Sequence, residues 1–275
     1  MNPLRFGTTI VEAYRFVWDN RRDFFAFVYL PVLAISIFAT VIDAVYPLEL
    51  PRDMTGITAG LITHIYARLL MSLAVGLVMY VIFAVPWHRL QLIGGEGGTV
   101  GAALRWRPTH RRYLFRLFLM LLAYFVLLGL IVAATVASAS GGGGEAAVSP
   151  VAVLIGTIAQ VALLAQILRG GVLLAAIAVE DASVTLSETW RLTRRCSPVL
   201  LALFFAAMLP ALIAGFVLIG QIVALIGAET LIGSLPLRFA VTLLSECISF
   251  FALAVLTTVF SIAYRDLKAQ DAGTV

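Results

Sequence analysis

Thr185-Leu-Ser-Glu-Thr-Trp-Arg-Leu-Thr-Arg-Arg195 is short, basic and amphipathic, and it stands just before a long apolar run that begins at Pro198. A related pattern opens at Thr9 and another at Thr99, each again followed by an apolar run. The unit this implies is an amphipathic interfacial helix, a membrane span, an outer loop and a second span. Three such units make an all-α polytopic membrane helix bundle of about six transmembrane helices.

Composition agrees. Of 275 residues, 61% are hydrophobic and 12% charged, whereas soluble domains hold roughly 45–50% apolar and about 25% charged residues. The mean hydropathy is +1.02, and several runs reach the roughly 20 apolar residues that span a bilayer. The formal net charge is +4. Its basic residues sit beside apolar runs, which points to lipid head groups and topology and away from nucleic acid. Cys196 and Cys247 fall at a span edge and inside a span, so they do not read as a disulfide. No secretory signal is evident, because the first apolar run begins near Phe24 and no small-residue cleavage site follows it.

Taken in order, residues 3–22 predict an amphipathic helix, with Thr9 and Glu12 spaced as a capping box and the apolar face in lipid. Spans are expected at 24–46, within 57–90, and at 113–137, 150–179, 198–227 and 235–263. The 57–90 run exceeds one perpendicular span, so either an interfacial turn precedes it or the helix is long and tilted. Pro47, Glu49, Pro51, Arg52 and Asp53 read as a polar loop, Gly94–Gly98 as a hinge, and Ser138–Ser149 as a loose loop. Pro108 is expected to interrupt the helix that carries Arg105 and Trp106. The residues after Lys268 read as a disordered tail.

Self-similarity supports repeats over 5–92, 97–180 and 181–268 within one membrane domain, 1–275. A shift of 90 carries Thr9, Arg15, Arg21 and Arg22 onto Thr99, Arg105, Arg111 and Arg112. A shift of 176 carries Thr9, Glu12, Tyr14 and Arg15 onto Thr185, Glu188, Trp190 and Arg191, and Arg89 onto Arg265. The second copy has Ala102 in place of the capping-box Glu. A twofold resemblance of the first and last thirds is the alternative. Two spans per unit would insert every copy the same way up, about an axis along the membrane normal.

In this layout the arginines beside the spans fall on one side, from Arg5 to Arg265, with Lys268. The opposite loops offer Arg52 among Glu49, Asp53, Glu145 and Glu229. The positive-inside rule then places both termini in the cytoplasm of a bacterial-type inner membrane.

Arg15, Arg22, Arg105, Arg112, Arg191 and Arg195 are the candidate contacts for anionic lipid or an anionic solute. The plainer reading is that they are topology signals and anchors. Arg68, Arg169 and Glu246 are the candidate intramembrane polar residues. Arg68 and Glu246 stand at similar distances before Arg89 and Arg265, which suggests a contact between them, unless Arg68 snorkels to the interface. Arg169, with Gln160 and Gln166, would line a polar path, or else reach head groups from a helix ending near Gly170-Gly171. Enzyme signals are poor. His64, His88 and His110 are dispersed, neither HExxH nor G-x-S-x-G occurs, and the glycine runs lack GK[ST]. No catalytic residue, cofactor or metal is expected.

The stretch Glu180-Asp-Ala-Ser-Val-Thr-Leu-Ser-Glu-Thr-Trp-Arg-Leu-Thr-Arg194 resembles that of the YciC-like bacterial inner-membrane proteins. It is also similar to the membrane domain found beside some glycerophosphodiester phosphodiesterases. The resemblance implies a stand-alone polytopic membrane domain, without the soluble phosphodiesterase activity. The expectation is a non-enzymatic protein contacting anionic lipid or a partner through basic interfacial helices. Alternatives are a transporter or channel for a small solute or lipid, and an accessory to a membrane lipid enzyme. Homo-oligomerisation stays open.

Overall fold

Uninterrupted apolar sequence with few charges leaves helix as the only way to satisfy the backbone in lipid. The computed structural model describes residues 4–47, 59–94, 105–140 and 150–273, and among them no strand occurs. The helices are α1 (Phe6–Asp19), α2 (Arg21–Val45), α3 (Ala59–Ile93), α4 (Pro108–Ser140), α5 (Pro150–Ala178), α6 (Leu186–Thr193), α7 (Ser197–Ile226), α8 (Ala228–Gly233) and α9 (Leu235–Gly273). Six of these, α2, α3, α4, α5, α7 and α9, are long and apolar enough to cross a membrane. The chain is a multi-pass, all-α membrane protein.

Several local expectations change. Of the two expectations for the 57–90 run, the long helix holds: from Ala59 on it is one helix, α3, of 35 residues. Pro108 starts α4 and does not interrupt a helix; at the first position its missing N–H costs nothing. Gly170 and Gly171 lie inside α5, which continues to Ala178. A Cβ on Gly171 would stand 2.6 Å from the Phe260 ring, so glycine here lets α5 close on α9. Glu180, at φ 60°, follows the end of α5 in the left-handed region, while Asp181 N–H returns to Ala176 O at 3.0 Å. The expected tail is helical as far as Gly273, and Ser138–Ser140 belong to α4. The loop holding Glu49, Pro51, Arg52 and Asp53 lies outside the described residues. So do the hinge from residue 95, Thr99, Ala102, Gly141–Gly144 and Glu145.

The spans pack in a regular way. The second helices of the three expected units, α3, α5 and α9, touch one another, and each first helix wedges between two of them. Thus α2 lies against α3 and α9, α4 against α3 and α5, and α7 against α5 and α9. Helix α9 is buried without a break from Ala254 to Tyr264. A helix enclosed all round is apolar all round, and the few hydroxyls here find partners: Thr257 Oγ1 lies 3.4 Å from Tyr80 OH, and those of Thr258 and Ser261 are described below. In α4, by contrast, the most apolar 18 residues include none that are buried.

The core centres on Trp87. Its ring stacks on Phe83 at 5.6 Å and meets Phe16, Phe24 and Phe27 at 5.5, 6.0 and 6.4 Å. Its Nε1 donates to Thr258 Oγ1 at 2.9 Å and to Ala254 O at 3.1 Å. An indole buried in an apolar cluster needs such a partner, and here α9 supplies it to α3.

Helix α1 does not lie with its apolar face in lipid. Thr9, Ala13 and Val17, spaced one turn apart, are buried against α9 and α7, and Tyr14 donates to Ala206 O at 3.2 Å. Helix α6 packs on α5 and α9 in the same way, burying Thr189 and Thr193. The 176-residue shift carries Ala13 and Val17 onto these two threonines.

Candidate functional site

Three features could carry chemistry: the basic end of the bundle, a cavity in that end, and a buried polar seam beneath it.

At the basic end, carboxylates tie the elements together. Arg265 on α9 donates to Glu12 on α1 at 2.8 and 3.3 Å. The capping box at Thr9 and Glu12 therefore does not form: α1 begins a turn earlier, with Arg5 at its N-cap, and Glu12 takes Arg265. Thr185 does cap α6, accepting from Glu188 N–H. Arg191 donates to Glu188 Oε2 at 3.0 Å and to Asp271 at 2.8 Å. Its hydrogen bonds hold the Glu188 carboxyl below its ordinary range. Arg89 donates to Ala178 O at 3.2 Å, and Thr109 to Glu180 at 2.5 Å. Asp181 accepts from Ser183 Oγ at 2.6 Å, and from Tyr264 and Lys268.

Of the six candidate lipid contacts, Arg191 is thus engaged by Glu188 and Asp271. Arg15, Arg22, Arg105, Arg112 and Arg195 are exposed and make no ion pair among the described residues. Arg111, Arg116 and Arg194 share that condition. Asp19 and Asp23, on or beside α1, offset part of this charge.

A cavity of about 440 Å³ opens in this end, between the start of α4 and the α5–α6 connection. Arg112 and Arg116 stand on its α4 wall with Phe115, and Leu173 and Ile177 on its α5 wall. Glu180, Asp181 and Leu186 close the third side. Arg116 was not among the residues singled out from sequence, although its i,i+4 spacing from Arg112 puts both on one helix face.

The three intramembrane candidates do not come together. Arg68 pairs with Asp43 near the end of α2 and donates to Tyr46 O; it does not reach Glu246. Asp43 was missed because one acid in an apolar run gives no sign of its partner. Glu246 makes no ion pair among the described residues. It precedes Arg265 by 19 residues, about 28 Å of helix, so it lies near the interface opposite the basic end.

Arg169 is 7% exposed, yet its partners are all neutral. Nε donates to Thr193 Oγ1 at 2.9 Å, and the two terminal nitrogens to Gln166 Oε1 at 2.7 Å and Trp190 O at 2.6 Å. Two of these bonds close onto α6 and the third onto Gln166 of its own helix, one of the two glutamines of the expected path; none reaches Gln160.

The buried seam was not visible in the sequence. His88 on α3 has Nδ1 2.7 Å from Ser261 Oγ on α9 and Nε2 3.2 Å from Tyr113 OH on α4. Ser261 Oγ also lies 3.1 Å from Thr257 O; with its hydroxyl donated there, His88 carries its proton on Nδ1 and accepts at Nε2 from Tyr113. The trio resembles a nucleophilic relay in composition only. His88, Tyr113 and Ser261 are all fully buried, and the two hydroxyls take up both imidazole nitrogens. The seam joins three spans. Among the described residues no group of three or more His, Cys, Asp and Glu is placed to hold a metal.

Comparison with known proteins gives no match: no family model, no curated protein and no solved structure aligns with this chain.

Proposed function

We propose that this is a non-enzymatic protein of a bacterial-type inner membrane, with both termini cytoplasmic, that gathers anionic lipid at its basic end. The observation that carries the reading is the set of exposed arginines there that make no ion pair among the described residues: Arg15, Arg22, Arg105, Arg112 and Arg195. Each basic residue near an anionic leaflet contributes about 1 kcal/mol, and the positive-inside rule gives the same end to the cytoplasm. The stand-alone membrane domain implied by the resemblance of residues 180–194 is in keeping with this role. We read 5–92, 97–180 and 181–268 as three copies of one unit. The wedging of each first span between two second spans supports that reading, as does the matched burial of Ala13 with Thr189 and Val17 with Thr193.

The test is native mass spectrometry of protein delipidated and re-exposed to phosphatidylglycerol or phosphatidylcholine. The wild type retains phosphatidylglycerol preferentially. Replacing Arg15, Arg22, Arg105 and Arg195 by Gln weakens that preference, with fusion reporters confirming unchanged topology. Equal retention of both lipids by the wild type would sink the proposal.

A further inference from the structure

We infer that the cavity between α4 and the α5–α6 connection is a binding site for one anionic phospholipid, its phosphate held by Arg112 and Arg116. The inference rests on the lipid-gathering reading above and makes it specific to one place.

Charge is the first ground. Four charged side chains line the cavity: Arg112, Arg116, Glu180 and Asp181. The two acids are committed elsewhere, Glu180 to Thr109 and Arg89, and Asp181 to Lys268, Tyr264 and Ser183. Neither arginine has an ion-pair partner among the described residues. The cavity therefore offers two unengaged guanidinium groups one helical turn apart, a spacing and geometry suited to the oxygens of one phosphate.

Apolar lining is the second ground. Beside the arginines the wall is Phe115, Leu173 and Ile177, and Leu186 also lines the cavity. Phe115 is 59% and Leu186 49% exposed. A free phosphate gains nothing from that surface, whereas the first carbons of an acyl chain do, at about 25 cal/mol per Å² buried. Depth is the third ground. Arg112 stands one turn into α4, where charged and apolar surroundings meet, which is the level of a lipid head group.

The experiment is native mass spectrometry of the full chain titrated with phosphatidylglycerol, phosphatidylcholine or water-soluble glycerol phosphate. One phosphatidylglycerol binds the wild type, and glycerol phosphate does not. The double variant R112Q/R116Q weakens that binding about tenfold or more. Ala182→Trp, which fills the cavity and keeps both arginines, does the same. The pair R15Q/R22Q, at the basic end but outside the cavity, weakens it much less than R112Q/R116Q does. Thermal melting curves establish that each variant is folded. Retention by both R112Q/R116Q and A182W at the wild-type level overturns the inference, as does equal binding of glycerol phosphate. If R15Q/R22Q loses as much lipid as R112Q/R116Q, the diffuse collar stands and the discrete site falls. If the wild type does not prefer phosphatidylglycerol, both fall.

Discussion

The Arg169 guanidinium lies 4.9 Å from the centre of the Trp190 ring and donates a 2.6 Å hydrogen bond to that residue's own carbonyl. With the bond to Thr193, this makes a buried cation the fastening between α5 and α6. Hydrogen bonds to a charged group are worth about 1.5–3 kcal/mol each. Arg169→Leu is expected to loosen α6 by about 2 kcal/mol, or roughly 30-fold in its opening equilibrium. Limited trypsin digestion reads this directly, because Arg194 and Arg195 are exposed at the end of α6. Cleavage there at the wild-type rate would show that α6 is held by something else.

At the other end, the partners are Arg68 and Asp43. The pair is half-exposed, with side chains 18% and 41% accessible, so its coupling should be modest, about 1 kcal/mol. A double-mutant cycle with Arg68→Gln and Asp43→Asn gives that coupling, whereas Arg68→Gln and Glu246→Gln are additive. Additivity in the first cycle and coupling in the second would reverse the assignment.

His88 should be found as the Nδ1–H tautomer, with Nε2 unprotonated and accepting from Tyr113. Nitrogen-15 NMR of the labelled histidine distinguishes the two ring nitrogens. Tyr113→Phe removes the donor to Nε2 and leaves a buried acceptor unsatisfied, which costs about 1–3 kcal/mol. A protonated Nε2 would contradict the bonding order from Ser261.

The pattern of these pairings marks where sequence stops being legible. Span number and the side of the basic residues were readable, because charges are so rare that their positions define the boundaries. The gathering of one end, with Arg89, Glu180 and Arg265 together, follows from that reading. The partners do not. Trp87 and Thr258 are 171 positions apart, and whether they meet depends on how α3 and α9 are rotated, which a uniformly apolar run leaves undetermined. Glu246 was matched to Arg68 by depth alone and Asp43 was overlooked, for the same reason. The face of α1 was legible but its environment was not, since protein and lipid are equally apolar to Ala13 and Val17.

Acid should weaken the basic end through Asp181. Burial pushes its carboxyl up, but hydrogen bonds from Lys268, Ser183 and Tyr264 outweigh that and hold it well below the ordinary range. A carboxyl depressed in the folded state contributes stability at pH above about 4, its unfolded value. That contribution shrinks as pH falls below this point toward the folded value, because the unfolded chain then binds the extra proton. Asp181→Asn should therefore melt lower than wild type at pH 7, by about 1–2 kcal/mol of lost hydrogen bonding. The difference should narrow between pH 4 and pH 3. A constant difference across that range would assign the effect to packing.

Helix α9 is synthesised after the five other spans, yet it holds what they need. Until residues 254–261 arrive, Trp87 Nε1–H and His88 Nδ1–H have been delivered to the bilayer without Ala254, Thr258 or Ser261. A nascent chain halted beyond α7 thus carries unsatisfied donors and an open aromatic cluster at its centre. Biogenesis is then a matter of holding five inserted helices apart from wrong partners until the sixth is released. Ribosome-stalled chains ending before residue 235 are the species a membrane quality-control protease would recognise.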